Sequence, residues 1–257
     1  MNKNKLIITI FLLIVCILVN YEIVDADFEN YIEELEDKFN NFFEREKQDN
    51  QEYLNQVLNL ADDLINEYPE NPEVYDAVLV AYIRLNEYHE SPLNILEKGK
   101  DYAKKFQEIA PERGSSYFWM AAFDGEIAQE KGILNSLFSV RPMRDNLEKA
   151  IELDPNFAPA YDVLAQLYLK APGWPISIGN NRKALEYRKK SVELDPYNYE
   201  YQWYLYENYQ KLNRDEEAEE VLETILEIPK EEKSEFYYGE NLREEKKNKA
   251  QQKLGKK

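Results

Sequence analysis

One cysteine, one histidine, three methionines and eight glycines among 257 residues exclude several kinds of chemistry. Cys16 lies inside an apolar stretch near the N-terminus, where Val15 stands in place of the small residue that a lipoprotein site calls for. Without that stretch the chain has no cysteine, hence no disulfide and no thiolate metal site, and packing must hold the fold. His89 is alone, so a histidine-centred triad or a histidine-rich metal site could form only around it, and its neighbours Glu87, Tyr88 and Glu90 give it a polar, helix-end setting. Gly173 and Gly179 are not followed by Lys-Ser or Lys-Thr, which excludes a phosphate-cradling loop. Close carboxylates carry no glycosidase signal, because 50 acidic residues place many side by side by chance. We therefore expect no catalytic residue, no metal ligand and no cofactor. Scarce glycine and few alternating β-branched runs point to an all-helical chain. Basic residues number 32, so the net charge is -18, which solvates an acidic surface, favours basic or cationic partners and repels nucleic acid.

Long hydrophobic runs are also missing, with one exception. Lys3 and Lys5 precede fourteen residues, Leu6 to Val19, of apolar character. Fourteen suits a signal peptide and is short for a membrane span, which needs about twenty. Val24-Asp25-Ala26 offers a cleavage site, so residues 1–26 are expected to be a signal peptide or an uncleaved anchor, with the mature chain starting at Asp27. The expected location is periplasmic or extracellular, or anchored to a membrane by that segment alone.

From Phe28 the apolar period becomes helical. Phe28, Ile32, Leu35, Phe39 and Phe42 form one stripe, and Leu54, Val57, Leu58, Ala61, Leu64 and Ile65 form a second before Tyr68-Pro69. The pattern repeats. In residues 157–196, Tyr161, Leu164, Ala165 and Tyr168 are followed by Ala184 and Pro196. A large aromatic at the fourth position fills the gap to a neighbouring hairpin, a small residue at the eighth lets two helices approach, and proline stops the second helix. These offsets resemble the tetratricopeptide repeat, W-x2-L-G-x2-Y…A-x3-F…P. One such hairpin cannot bury its own apolar face, so the expected fold is an all-α, right-handed α-solenoid of about five hairpins, at about 27–69, 70–111, 112–155, 156–196 and 197–229. The stopping prolines at 69, 111, 155, 196 and 229 are 42, 44, 41 and 33 residues apart, and only the last spacing approaches the standard 34. The additions fall between the two helices of the second, third and fourth hairpins. Asn86 to Glu90 suits a longer helix end. Ala171 to Asn180, with two prolines and two glycines, reads as a compact loop that must bury Trp174, Ile176 and Ile178, with Trp174 plugging the gap to Gly132-Ile133-Leu134 or facing a ligand.

Residues 117–229 contain EKGI..SLF (Glu130 to Phe138), LEKAIELDPN (Leu147 to Asn156), a PG.P.S.G loop (Pro172 to Gly179) and KALEY (Lys183 to Tyr187), in that order. This order resembles a group of exported bacterial tetratricopeptide proteins. It is also similar to the tetratricopeptide part of the regulators of microtubule dynamics and, in its exported setting, to the helical-repeat partners of TRAP-type transporters. The resemblance implies a non-enzymatic scaffold, with a transporter component among its conceivable partners; tubulin does not fit an exported chain.

In such arrays positions 2, 5, 9 and 12 of each first helix line a concave groove. Position 5 reads Asp76, Trp119, Asp162 and Trp203; position 9 reads Val80, Phe123, Gln166 and Glu207; position 12 reads Ile83, Glu126, Leu169 and Gln210. Two tryptophans among acids suit a protein or extended peptide with basic and apolar side chains. The competing reading puts Trp119 and Trp203 in the core, because the register of the third hairpin is open by one residue. The alternative function is a small-molecule carrier with an apolar pocket near the Trp174 loop. Residues 230–257 change character: Arg243 to Lys257 holds seven basic and two acidic residues, and Leu242, Ala250 and Leu254 suggest a C-terminal capping helix with a basic tail.

Overall fold

The computed structural model describes residues 30–35, 37–38, 51–173, 175–229, 232, 234 and 240–255. Residues 1–26, expected to be a signal peptide or an anchor, and Phe28, Phe39, Phe42 and Trp174 lie outside them. Two compact units are formed, residues 1–81 and 82–257.

In the first unit, residues 30–35 and 37–38 belong to helix α1, and α2 spans Gln51–Glu67. The buried side of α2 consists of Leu54, Val57, Leu58, Ala61, Leu64 and Ile65, the same six residues that the helical period selects. Each of the five Leu, Val and Ile side chains gains about 1.5–3 kcal/mol on burial, so a 3.6-residue period suffices to orient the helix. Tyr53 Oη donates to the Lys38 carbonyl at 3.0 Å, which ties α2 to α1. Helix α3 (Pro72–Leu85) opens with Asn71 Oδ1 accepting from Glu73 N at 3.0 Å, while Pro72 occupies a first turn that needs no N–H. It continues past Ala81 into the second unit.

The second unit contains α4 (Pro92–Ile109), α5 (Gly114–Glu130), α6 (Ile133–Leu153), α7 (Ala158–Lys170), α8 (Asn181–Leu194), α9 (Tyr199–Lys211), α10 (Asp215–Glu227) and α11 (Glu240–Leu254). Consecutive helices from α4 to α11 pack against one another, and from α4 to α10 connections of ten residues or fewer make neighbours antiparallel. Among the described residues there is no strand; one bridge joins Gly173 and Gly179.

A single bond recurs where a new hairpin begins. Tyr75 Oη donates to the Pro69 carbonyl at 2.8 Å, Tyr161 Oη to that of Pro155 at 3.0 Å, and Gln202 Nε2 to that of Pro196 at 2.9 Å. The fourth residue of the first helix thus satisfies the carbonyl of the proline that stopped the preceding helix. The third hairpin departs from this: Ser116 Oγ donates to the carbonyls of Ala110 and Arg113.

The added residues are accommodated in three ways. In the second hairpin α3 stops at Leu85 and a 3-10 turn, Asn86–Tyr88, follows; the expected long helix end is not formed. Asn86 is the reason, since its buried amide donates to the Ile83 carbonyl at 2.7 Å and closes the turn. His89 Nδ1 then accepts from Ser91 N at 2.9 Å and leads into α4. In the third hairpin the addition is helical: α6 runs for 21 residues and carries Pro142 on an exposed face. In the fourth it is a loop. Gly179 N donates to the Pro172 carbonyl at 2.8 Å and Asn180 N to that of Tyr168 at 2.8 Å. A side chain at Gly179 would overlap the Ala171 carbonyl, so only glycine closes this loop. Asn180 Oδ1 then accepts from the N–H groups of Arg182 and Lys183 and starts α8.

The C-terminal helix is a cap. Ala250 is fully buried, and Lys247 Nζ donates to the carbonyls of Leu226 at 3.1 Å and Ile228 at 2.9 Å, at the C-terminal end of α10. A cation there complements the helix dipole and satisfies carbonyls that have no partner within the helix. Ser234 anchors the connection, bonding Asp195 at 2.5 Å and accepting from Asn198 at 3.1 Å in a buried cluster at the α8–α9 turn.

Candidate functional site: the first-helix wall

Equivalent turn bonds fix the register of the first helices. Asn71 N→Tyr68 O, Arg113 N→Ala110 O, Phe157 N→Asp154 O and Asn198 N→Asp195 O are the same bond at four hairpin starts. The first helical residues are therefore Pro72, Gly114, Ala158 and Tyr199, and position 5 is Asp76, Phe118, Asp162 and Trp203. In the third hairpin the groove positions 5, 9 and 12 are Phe118, Ala122 and Gly125, one residue earlier than expected. Trp119 and Phe123 are corrected accordingly. Phe123 is 0% exposed and its ring lies where a side chain at Gly99 of α4 would be, with Tyr82 beside it. Trp119 is 8% exposed, as buried as Phe118 at position 5, and packs at 5.0 Å from Phe118 and 6.4 Å from Phe123. Both are core. Glu126 is half-buried, one place past position 12.

In the fourth and fifth hairpins the register is as expected, and the side chains are more tightly held than a free groove would require. Asp162 is buried and forms an ion pair with Arg188 of α8, while its Oδ2 accepts from Gln166 Nε2 at 2.9 Å. It is thus a structural anion rather than a contact for a partner. Trp203 is 9% exposed; its Nε1 donates to Glu207 at 3.0 Å, and Lys246 and Lys249 of α11 lie 5.5 and 5.8 Å from its ring. The cap covers Trp203 with the basic side chains that a partner was expected to bring. Gln166 and Leu169 are half-buried, and Glu207 and Gln210 are exposed; Gln210 donates to Asp215 at 3.2 Å. Asp76 and Val80 in the first unit, and Ile83 in the second, are half-buried.

Two residues central to this wall were not among the candidates. Arg188 is fully buried and its guanidinium stacks 4.9 Å from the Tyr204 ring centre. It occupies the phenylalanine position of A-x3-F, four residues after Ala184. Burial pulls its pKa down to about 10, and the neighbouring Tyr204, Tyr201, Glu207 and Glu200 oppose that shift. Burial likewise raises the Tyr204 hydroxyl, with Glu200 adding to the rise and Arg188 opposing it. An arginine in a position that the repeat gives to phenylalanine is the sequence signal that could have found this cluster.

The loop behaves differently from its expected packing. Ile176 is 71% exposed, so the apolar side chains are not all buried; the chain turns back between Gly173 and Ser177 with Ile176 outside. Ile178 is half-buried. Among the described residues no three His, Cys, Asp or Glu side chains gather as a metal site.

Paired antiparallel helices, recurrent proline carbonyl ties and a terminal polar cap define a tetratricopeptide-type helical-repeat protein. TTC0263, a tetratricopeptide protein of Thermus thermophilus, superposes with a TM-score of 0.59 over 77% of this chain and 90% of its own, at 16% identity. MamA from Desulfovibrio magneticus RS-1, residues 41 to the end, gives 0.46 over 77% and 94% at 16% identity. The first of these carries the likeness, and it is one of fold. The profile described as Regulator of microtubule dynamics protein 1-3 matches residues 35–169, more than half of the chain, and the chain belongs to that family. No curated protein matches it in sequence.

Proposed function

We propose that the protein is a non-enzymatic scaffold that holds a protein or extended peptide against the first helices of its fourth and fifth hairpins. The observation that carries this reading is that the position-9 side chains of successive first helices, Gln166 and Glu207, are each held in place by a bond to the buried position-5 residue behind them, Asp162 and Trp203. These bonds hold polar groups at fixed spacing on a rigid wall, which lowers the ordering cost when an extended segment binds. Glu207 and Gln210 face solvent there, and with Glu200 nearby they favour a segment bearing basic side chains. The apolar N-terminal run supports an exported, periplasmic or extracellular setting, either cleaved or anchored, in which a transporter component is one candidate partner. Microtubules, which the family's name invokes, do not meet an exported chain. The carrier reading loses support because Ile176 does not line a pocket beneath its loop.

The test is a pull-down from the native cell envelope with the full chain beside a Gln166→Ala, Glu207→Lys, Gln210→Ala variant whose helicity is checked by circular dichroism. A partner retained by the parent and lost by the folded variant supports the wall. Equal capture by both, or a copurifying small molecule with no protein, overturns it.

A further inference from the structure

The acidic charge of the chain is unevenly spread. Residues 131–144 and 168–185 contain six basic residues and no acid, where the chain's average would place about six acids. The fold brings these two segments to one edge. Helix α6 begins at the edge where α7 ends, because the two are antiparallel and joined by residues 154–157. The level is set by Tyr168, near the C-terminal end of α7, whose hydroxyl lies within electrostatic reach of Arg144 and Glu148 on α6. Residues 133–143 therefore extend roughly 16 Å beyond that level, at 1.5 Å per residue, beside the loop at 171–180.

This edge also carries the two large apolar side chains that, among the described residues, are left in water, Phe138 at 81% and Ile176 at 71% exposure. Lys131 is held by Glu97 and Arg144 by Asp145 and Glu148, whereas Arg141, Lys170 and Arg182 are exposed cations around the two apolar tips. Phe138 projects from a helix and Ile176 from a turn. A peptide segment is recognised by grooves and pockets, but a lipid surface accepts projecting apolar tips and needs only cations around them. In a chain of net charge -18, an edge whose neighbouring acids Glu97, Asp145 and Glu148 are paired with Lys131 and Arg144, and whose own segments add none, is where an anionic surface meets the least repulsion.

We infer that the edge formed by residues 131–144, 168–173 and 175–185 docks the protein on an anionic bilayer, with Arg141, Lys170 and Arg182 against lipid phosphates and Phe138 and Ile176 entering the headgroup boundary. The contact is peripheral: among the described residues no helix is long and apolar enough to cross a membrane. It is independent of the scaffold reading and is additional to any anchoring by residues 1–26.

The test is cosedimentation of the full chain with phosphatidylcholine vesicles, with and without phosphatidylserine. The excess binding to anionic vesicles is the readout, since an apolar leader contributes to both. The parent should show at least a tenfold excess. Arg141→Glu, Lys170→Glu, Arg182→Glu should abolish it, Phe138→Ser with Ile176→Ser should reduce it severalfold, and Lys253→Glu in α11 should leave it. The neutral set Arg141→Gln, Lys170→Gln, Arg182→Gln serves if charge reversal disturbs the fold. Equal binding to both vesicle types, or loss of the excess only in the α11 variant, overturns the inference. So does edge-dependent capture of soluble polyglutamate without vesicle binding, which would mark an acidic-protein surface instead.

Discussion

Arg188 stands where the repeat expects phenylalanine, paired with Asp162 of the preceding first helix and stacked on Tyr204 of the following one. A single cation thus links α7, α8 and α9. Taking two charges out of water offsets most of their attraction, so the pair adds little net stability, but removing one partner leaves a buried charge alone. Asp162→Ala should destabilise the protein by about 3–5 kcal/mol. The double variant Asp162→Leu, Arg188→Met, apolar and of similar volume, should come within about 1 kcal/mol of the parent or exceed it. Urea midpoints at constant m-value test this; a small effect for Asp162→Ala would show that Arg188 is not dependent on the pair.

The carbonyl ties give a pH signature. Tyr75 is fully buried and donates to the Pro69 carbonyl, and burial, with Glu70 adding to it, raises its pKa from 10.0 to about 12. The folded value lies above the unfolded one, so the neutral phenol stabilises the fold fully below pH 10, and this contribution is lost as pH rises towards 12. Tyr75→Phe removes the bond and the titration together. The parent should exceed the variant by about 1 kcal/mol at neutral pH, and the gap should close between the two pKa values. A gap that stays constant on alkaline titration would show that the phenol does not ionise on unfolding.

Gly99 and Phe123 make a complementary pair between α4 and α5. Adding a methyl at Gly99 would overlap the Phe123 ring, which is fully enclosed and cannot turn away. Gly99→Ala should cost about 1–3 kcal/mol despite its better helix propensity. Combining it with Phe123→Leu should recover part of that loss, giving a coupling energy of at least about 0.5 kcal/mol in a double-mutant cycle. Additive effects would mean that the two side chains do not compete for one space.

How far the sequence revealed this arrangement depended on how one-sided each helix is. Helix α2 alternates apolar and polar residues so regularly that its six buried positions follow from the period alone. Helix α5 does not. Phe118-Trp119-Met120-Ala121-Ala122-Phe123 is apolar on every side, so one register fits as well as the next, and the pattern alone puts Trp119 and Phe123 at positions that belong to Phe118 and Ala122. The backbone bond at Arg113, which starts the helix at Gly114, decides it. The proline spacings revealed that three hairpins are lengthened, but not how: the turn at Asn86, the helical extension before Pro142 and the loop closed at Gly179 rest on hydrogen bonds and close approaches that spacing does not encode. The wall at Asp162 was legible by position, yet its buried partner Arg188 was hidden, since a charged residue in a lysine-rich helix reads as exposed.

The cap offers a test of how the array ends. Lys247 reaches the last carbonyls of α10 with its ammonium, and burial, with Arg243 adding to it, lowers its pKa. Around it, Ala250 packs on the core and Lys246 and Lys249 cover Trp203. If apolar contact alone docked α11, the ammonium would be dispensable. If the carbonyls at the end of α10 depend on it, Lys247→Met, which keeps the stem and loses the donors, should loosen that end by about 0.3–1 kcal/mol. The expected result is about two- to fivefold faster amide exchange in the last turn of α10, with rates in α7 and α8 unchanged. Unchanged exchange throughout would assign the docking of α11 to its apolar face and leave the bond to the Leu226 and Ile228 carbonyls without energetic weight.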